Sequence, residues 1–387
     1  MNQAIAFAGY LLALGAISLL AARQIATLRD YVIGGRRLSG LTGGLSAGAS
    51  DMSGWLLLGL TGLAAVAPLN AMFTAIGLLI GTYINWRFIA ARLLAQTLAH
   101  DDSITLPTFF ERRFLDHSGL LRWLCALCII VFFSIYASAA LVAGGKLFSS
   151  VFALDYHTSI IGCASFIAAY TIVGGFLAVS WTDALQALLM LGALIAAALV
   201  SGAATGFATS LLAEQSISGV AALSGLAWGL GYVGQPHILA RFMALSSEKQ
   251  VRSGAVIGIS WTAFSLIAAV CVGVFGAHLL GANLDHETVF LRVIEQHFHP
   301  LVAGLCLAAV LAAIMSTADS QLLVVATTVV VDLRSKSLNS HSQSLTSGRL
   351  LVGVVTMIAL AIAWHPGQHV LALVAYAWAG FGATFGP

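Results

Sequence analysis

Trp228-Gly-Leu-Gly-Tyr-Val-Gly-Gln-Pro-His237 lies within a long apolar stretch, yet it is a poor helix. Gly229, Gly231 and Gly234 lead into Pro236, the only one of six prolines to fall inside an apolar stretch rather than at an edge or in a loop. In a helix interior glycine costs about 1 kcal/mol and proline about 3. In lipid the freed backbone groups cost more still unless they line a cavity. A second such stretch, Gly43-Gly-Leu-Ser-Ala-Gly-Ala-Ser-Asp-Met-Ser-Gly54, lies upstream. Small residues also let helices pack closely, which would explain either stretch taken alone. Their spacing is harder to explain that way.

A bilayer span needs about 20 apolar residues. The chain reads as eleven spans, at roughly 4–22, 42–66, 70–93, 120–148, 158–179, 184–207, 221–243, 254–280, 300–326, 348–364 and 368–387. The glycine-rich stretches fall in spans 2 and 7, five apart. Five is odd, so a five-helix unit repeated in tandem is inverted in the membrane. Interrupted helices at corresponding places of inverted halves point to a transporter site near the midplane. The expected architecture is an all-α polytopic membrane protein, a single transmembrane domain over residues 1–387. It has a peripheral helix at 4–22, a first repeat at 42–207 and a second at 221–387.

Composition excludes most other classes. Of 387 residues 59% are hydrophobic and 8% charged, against about 25% charged in a soluble domain. A soluble enzyme and a disordered chain are excluded, and no basic face is long enough for nucleic acid. Fifteen of the 17 Lys and Arg fall in four regions: after span 1, between spans 3 and 4, after span 7 and after span 9. Only Lys146 and Arg292 lie on the opposite side. By the positive-inside rule the rich side is cytoplasmic, which puts the N-terminus outside a cell inner membrane. The N-terminus lacks the basic region of a cleavable signal peptide. Leu284–His297 is expected to form a short external helix, and the polar Ser335–Ser347 an inner loop. Cys125 and Cys128 resemble a metal or redox pair, but with no second pair nearby they read as small residues on one helix face.

Of fifteen acids only Asp51 and Asp319 fall inside spans, and Asp183 lies at the junction of spans 5 and 6. An acid at the centre of a span costs about 2.5–3.5 kcal/mol on insertion scales and marks function by default. Asp51 sits beside the span 2 break. Asp183, following Thr182, has the alternative of capping the helix of span 6. In span 9 the Ala313 carbonyl and the Ser316 and Thr317 hydroxyls stand at i, i+3 and i+4, so they share one face. Such neutral oxygens suit a hard cation such as Na⁺, completed by carbonyls freed near Ala49–Met52. Alternatively, each hydroxyl bonds the carbonyl of its own preceding turn.

At these residues the sequence resembles the sodium/solute symporters, and within them the proline-transporting members. The carrying motifs are Ser46-AGASDMSGW-Leu56, Tyr136 in FFSIYASA, Gly174-GFLAVSWTD-Ala184, Trp228-GLGYVGQPHILARFM-Ala244, Ala312-AIMSTADSQLL-Val324 and Ala375-YAWAGFGATFG-Pro387. The resemblance runs from span 1 to the last residue. It implies a leucine-transporter-like 5+5 inverted repeat with one extra N-terminal helix. It also implies a sodium site of the Ala49, Met52 and Ala313 carbonyls with the Ser316 and Thr317 hydroxyls. Asp51 matches an acid needed for sodium coupling, and Ser53 and Gly54 match residues near substrate and ion. Tyr136, Trp228 and Tyr232 match the substrate pocket. Asp183 matches an acid associated with a second cation path, and Asp319 departs from members with a hydroxyl there. Family members carry further helices, so the chain reads as truncated in its last core helix and is expected to transport poorly. The expected partners are proline, Na⁺ as coupling ion, and the lipid bilayer, with no cofactor and no enzymatic activity. The alternatives are symport of another small solute (pantothenate, a sugar or choline) or a symporter-like sensor input domain.

Overall fold

Three backbone breaks shape the computed structural model, and each has a local cause. The structure describes residues 2–207, 217–281, 285–333, 345–365 and 370–386. Among them no strand forms beyond one isolated bridge, Leu38 with Leu245. Helix α1 (Asn2–Ala22) precedes a short α2 (Leu28–Ile33). Next come α3 (Gly40–Trp55) and α4 (Thr61–Val66), continuous through a widened turn at Leu56–Leu60. Helices α5 (Pro68–Ile84) and α6 (Ala90–Ala99) are joined the same way across Asn85–Ile89. After α7 (Leu106–Arg113) come α8 (Leu120–Phe152) and the 49-residue α9 (Tyr156–Ala204). Helices α10 (Gly219–Val233) and α11 (Pro236–Ala244) form a broken pair. They are followed by α12 (Glu248–Leu280), α13 (Val289–His297), α14 (Pro300–Thr328), α15 (Leu345–Ile362) and α16 (Val370–Phe385).

Eight helical stretches among the described residues are long and apolar enough to cross a membrane. At 1.5 Å per residue the length of α9 comes to about 74 Å, over twice a bilayer core, so it supplies two crossings. With the α10–α11 pair and α16, each of the eleven expected spans has its helix.

The first break is at Ser53, where φ is 46° and ψ −172°. This region is rarely occupied by a residue with a side chain and is found mainly at functional sites. Ser53 Oγ accepts the Trp55 N–H at 3.1 Å, replacing a lost helical bond. The second break lies between Val233 and Pro236. Proline has no N–H to offer the carbonyl four residues back, and Asn85 Nδ2 donates to that carbonyl, Tyr232 O, at 3.2 Å. Gln235 Nε2 donates to Gly231 O at 3.1 Å.

The third break corrects the sequence reading, which joined spans 5 and 6 near 180–183. The turn is made by Gly175 alone, at φ 50° and ψ −150°. Glycine adopts this conformation without strain, and a Cβ there would stand 2.6 Å from Tyr31 Cδ2. Three carbonyls just before the turn receive side-chain donors from elsewhere: Tyr170 O from Ser18 Oγ (2.8 Å), Thr171 O from the Tyr31 hydroxyl (3.3 Å) and Ile172 O from Arg349 Nε (3.1 Å). Two further boundaries differ. Span 9 continues through Val329–Leu333, so Asp332 is buried and its Oδ1 accepts the Thr105 and Thr108 hydroxyls at 2.6 Å each. The expected external helix is α13, preceded by a turn at His286–Thr288. Residues 335–344 of the expected inner loop lie outside the described residues. Helix α14 is the buried centre of the bundle, packed against α1, α3, α8 and α9.

Candidate functional site

The break in α3 brings α14 into its chemistry. The carbonyls of Ala49 and Ser50 lie in the last turn of α3 before Ser53. Here Ser316 Oγ donates to Ala49 O and Thr317 Oγ1 to Ser50 O, both at 3.0 Å. The same hydroxyls lie 3.2 and 3.3 Å from Ala313 O, in the preceding turn of their own helix. The hydroxyls therefore lie within reach of the carbonyl of their own preceding turn and also of the broken helix. Five buried neutral oxygens converge, the carbonyls of Ala49, Ser50 and Ala313 and the hydroxyls of Ser316 and Thr317. Neutral oxygen ligands match a hard cation. The Met52 carbonyl accepts the Leu56 N–H. The Ser50 carbonyl lies within the expected Ala49–Met52 stretch but was not named as a ligand; the contact from Thr317 Oγ1 is what brings it into the cluster. Among the described residues no group of three or more His, Cys, Asp or Glu is placed to hold a metal.

On the other side of the break lies a small cavity of about 10 Å³, lined by Asp51, Met52, Ser53, Trp55, Leu78, Tyr136, Trp228, Val374 and Trp378. It has room for one water-sized group. Of the expected substrate residues, Tyr136, Trp228 and Ser53 line it. Gly54 lines instead the larger cavity described next, and Tyr232, fully buried one turn from Trp228, is not among the lining residues. The Trp55 and Trp228 rings stack with centroids 5.5 Å apart and planes at 16°. Beyond Trp55 opens a cavity of about 260 Å³, whose lining includes Lys146, Asp285 and Glu287. Both Asp51 carboxylate oxygens are buried with no hydrogen-bond partner among the described residues. That disfavours a purely structural acid tied to freed backbone amides.

The opposite end is closed by charge. Arg241 of α11 is 1% exposed. It donates to Asp183 Oδ2 at 2.9 Å, Ser46 Oγ at 3.0 Å, His237 O at 2.8 Å and Ser320 Oγ at 2.5 Å. One side chain thus ties α11 to α3, α9 and α14. Asp183 also accepts the Ser46 hydroxyl at 2.6 Å, so it is an ion-pair partner rather than a helix cap. Asp319 accepts from the Tyr170 hydroxyl at 2.5 Å and from Ser320 Oγ at 3.1 Å. Ser320 Oγ lies 2.8 Å from Ser316 O, linking this network to the oxygen cluster. Arg241 and Tyr170 escaped the sequence reading. Arginine near a span end reads as an orientation signal, and tyrosine as an ordinary apolar residue.

Residues 31–387 match the model of the Sodium:solute symporter family. The chain is 42% identical to the high-affinity proline transporter PutP of Bacillus subtilis (strain 168), covering 96% of this chain and 82% of that relative. It is also 42% identical to the sodium/proline symporter of Escherichia coli (strain K12), covering 99% and 81%. The sodium/proline symporter of Staphylococcus aureus is 41% identical, covering 99% and 79%. Among solved structures, a substrate-bound, outward-open Na⁺-coupled sialic acid symporter superposes with a TM-score of 0.82 at 18% identity, over all of this chain and 86% of that one. MhsT in complex with L-phenylalanine gives 0.57 at 17% identity, over 90% and 86%. Both support the inverted-repeat transporter fold.

Proposed function

The chain belongs to the sodium:solute symporter family, and from that premise we propose that it takes up L-proline by symport with Na⁺ across the cytoplasmic membrane. The observation that carries the sodium half is the reach of Ser316 and Thr317 to two carbonyls of α3 just before its break, 3.0 Å in each case. In this reading Na⁺ is held by Ala49, Ala313, Ser316 and Thr317, with Met52 or Ser50 completing the set. Once the Trp55–Trp228 stack separates and the small cavity widens, proline occupies the place beside Asp51, Ser53, Tyr136 and Trp228, bordered by Gly54 and Tyr232. Aromatic faces cover its ring and attract its ammonium.

Coupling follows from adjacency. The residues that expose the carbonyls to the ion also form the floor of the solute cavity, so filling one place stiffens the other. Asp51, Asp183 and Asp319 are the acids of the coupling path. Moving one Na⁺ down about 100 mV supplies about 2.3 kcal/mol, and a tenfold gradient about 1.4. Together these support roughly 500-fold accumulation. The inner side is the Lys- and Arg-rich one and the N-terminus is outside, so the Arg241 network closes the inner path and Trp55 the outer. The two repeats, 42–207 and 221–387, act as one transport domain without enzymatic chemistry.

The test is labelled-proline uptake into vesicles under an inward Na⁺ gradient and, separately, an inward K⁺ gradient. Uptake driven by Na⁺ alone is expected. Equal uptake with both ions excludes sodium coupling, and Na⁺-driven uptake of another solute in preference to proline moves the substrate assignment.

A further inference from the structure

Three indoles wall the central cavity: Trp55 of α3, Trp228 of α10 and Trp378 of α16. Trp55 and Trp228 stack on one another, so solute entry has to separate them. Trp378 is seated differently. Its ring lies against the backbone of the α10 break, where a Cβ on Gly231 would stand 2.5 Å from its Cδ1 and 3.0 Å from its Nε1. The glycine is what admits the indole to the cavity wall. Its ring centroid lies 6.0 Å from that of Trp228.

Trp378 is 6% exposed, and its Nε1 is buried with no hydrogen-bond partner among the described residues. A buried indole N–H usually finds an acceptor, and leaving it unpaired costs stability. Asp51 lines the same cavity with two unpartnered carboxylate oxygens. Two of the residues that line this cavity thus carry unpaired groups of opposite kind: Asp51 offers acceptors without a donor, and Trp378 a donor without an acceptor. A small zwitterion satisfies both: its ammonium answers the carboxylate, and its carboxylate the N–H.

We propose that Trp378 is a solute-recognition residue whose indole N–H donates to the carboxylate of the zwitterionic solute, with Asp51 facing the ammonium. The proposal deepens the proline reading and rests on it. A donor bonded to a charged acceptor is stronger than one between neutral groups, so losing it falls on solute affinity.

Trp378→Phe keeps the ring and removes the N–H. In vesicles with saturating Na⁺, the proline KM should rise roughly 10- to 100-fold, the scale for a hydrogen bond to a charged group. The maximal rate and the sodium half-saturation should stay within about twofold, less than one such bond would move them. Pyrrolidine, which has the ring amine but no carboxylate, should inhibit both proteins equally. A proline KM matching wild type overturns the proposal, as does pyrrolidine inhibition that weakens in step with proline, because the ring rather than the N–H would then be the determinant. Wild-type protein that neither binds nor transports proline overturns the substrate reading together with this one.

Discussion

Replacing both Ser316 and Thr317 by Ala removes the two hydroxyls that join α14 to the broken α3. Each lies 3.0 Å from a carbonyl on that helix, and both residues are fully buried. If each hydroxyl contributes about 1 kcal/mol net to the ion's surroundings, the pair contributes about 2 kcal/mol. That corresponds to a roughly 30-fold rise in the sodium concentration for half-maximal uptake. The assay is proline uptake across a sodium titration, with choline replacing sodium and membrane protein normalised. Thr317→Val serves as a control of nearly equal shape, expected to shift the curve by about half as much in free energy, roughly fivefold. Half-saturation unmoved in the double variant would refute the cation assignment of these oxygens. A fall in maximal rate alone would identify the hydroxyls as a structural link between the helices.

Asp51→Asn is expected to nearly abolish sodium-driven uptake while Asp51→Glu retains part of it; transport by Asn at the wild-type rate shows that no charge is needed there. Arg241→Gln leaves the Asp183 carboxylate buried and uncompensated, a loss on the order of 3–5 kcal/mol, read as a lowered Tm in detergent. Adding Asp183→Asn should recover much of that Tm, and a double variant no more stable than Arg241→Gln contradicts the pairing. Gly175→Ala forces a side chain into φ 50° and onto Tyr31; a stability loss of roughly 1–3 kcal/mol should appear as poor membrane yield or a lowered Tm, whereas wild-type behaviour places the turn elsewhere.

The apolar spans and the two principal breaks were legible because lipid makes the rules strict. Apolar runs of bilayer length have little alternative to helix, and Gly229, Gly231, Gly234 and Pro236 interrupt one of them visibly. The hydroxyl face of Ser316 and Thr317 was legible from helical period alone. The turn at Gly175 was less so. Gly174–Gly175 looks like ordinary close packing, and the residues that donate to the carbonyls before it, Ser18, Tyr31 and Arg349, lie far away in sequence. The same distance hid Arg241 as the partner of Asp183, 58 residues apart. Trp55 and Trp378 read as bulk among other apolar residues. Only the packing of α16 on the α10 break brings the second of them to the cavity, through a glycine that makes room for it.

The central claim, that one protein moves sodium and proline together, is tested most directly by proline-dependent entry of labelled Na⁺ into liposomes containing only the purified chain. Proline should accelerate Na⁺ entry saturably, and removing Na⁺ should abolish labelled-proline entry in the same liposomes. Na⁺ entry that is indifferent to proline, alongside proline entry that is indifferent to Na⁺, would contradict symport.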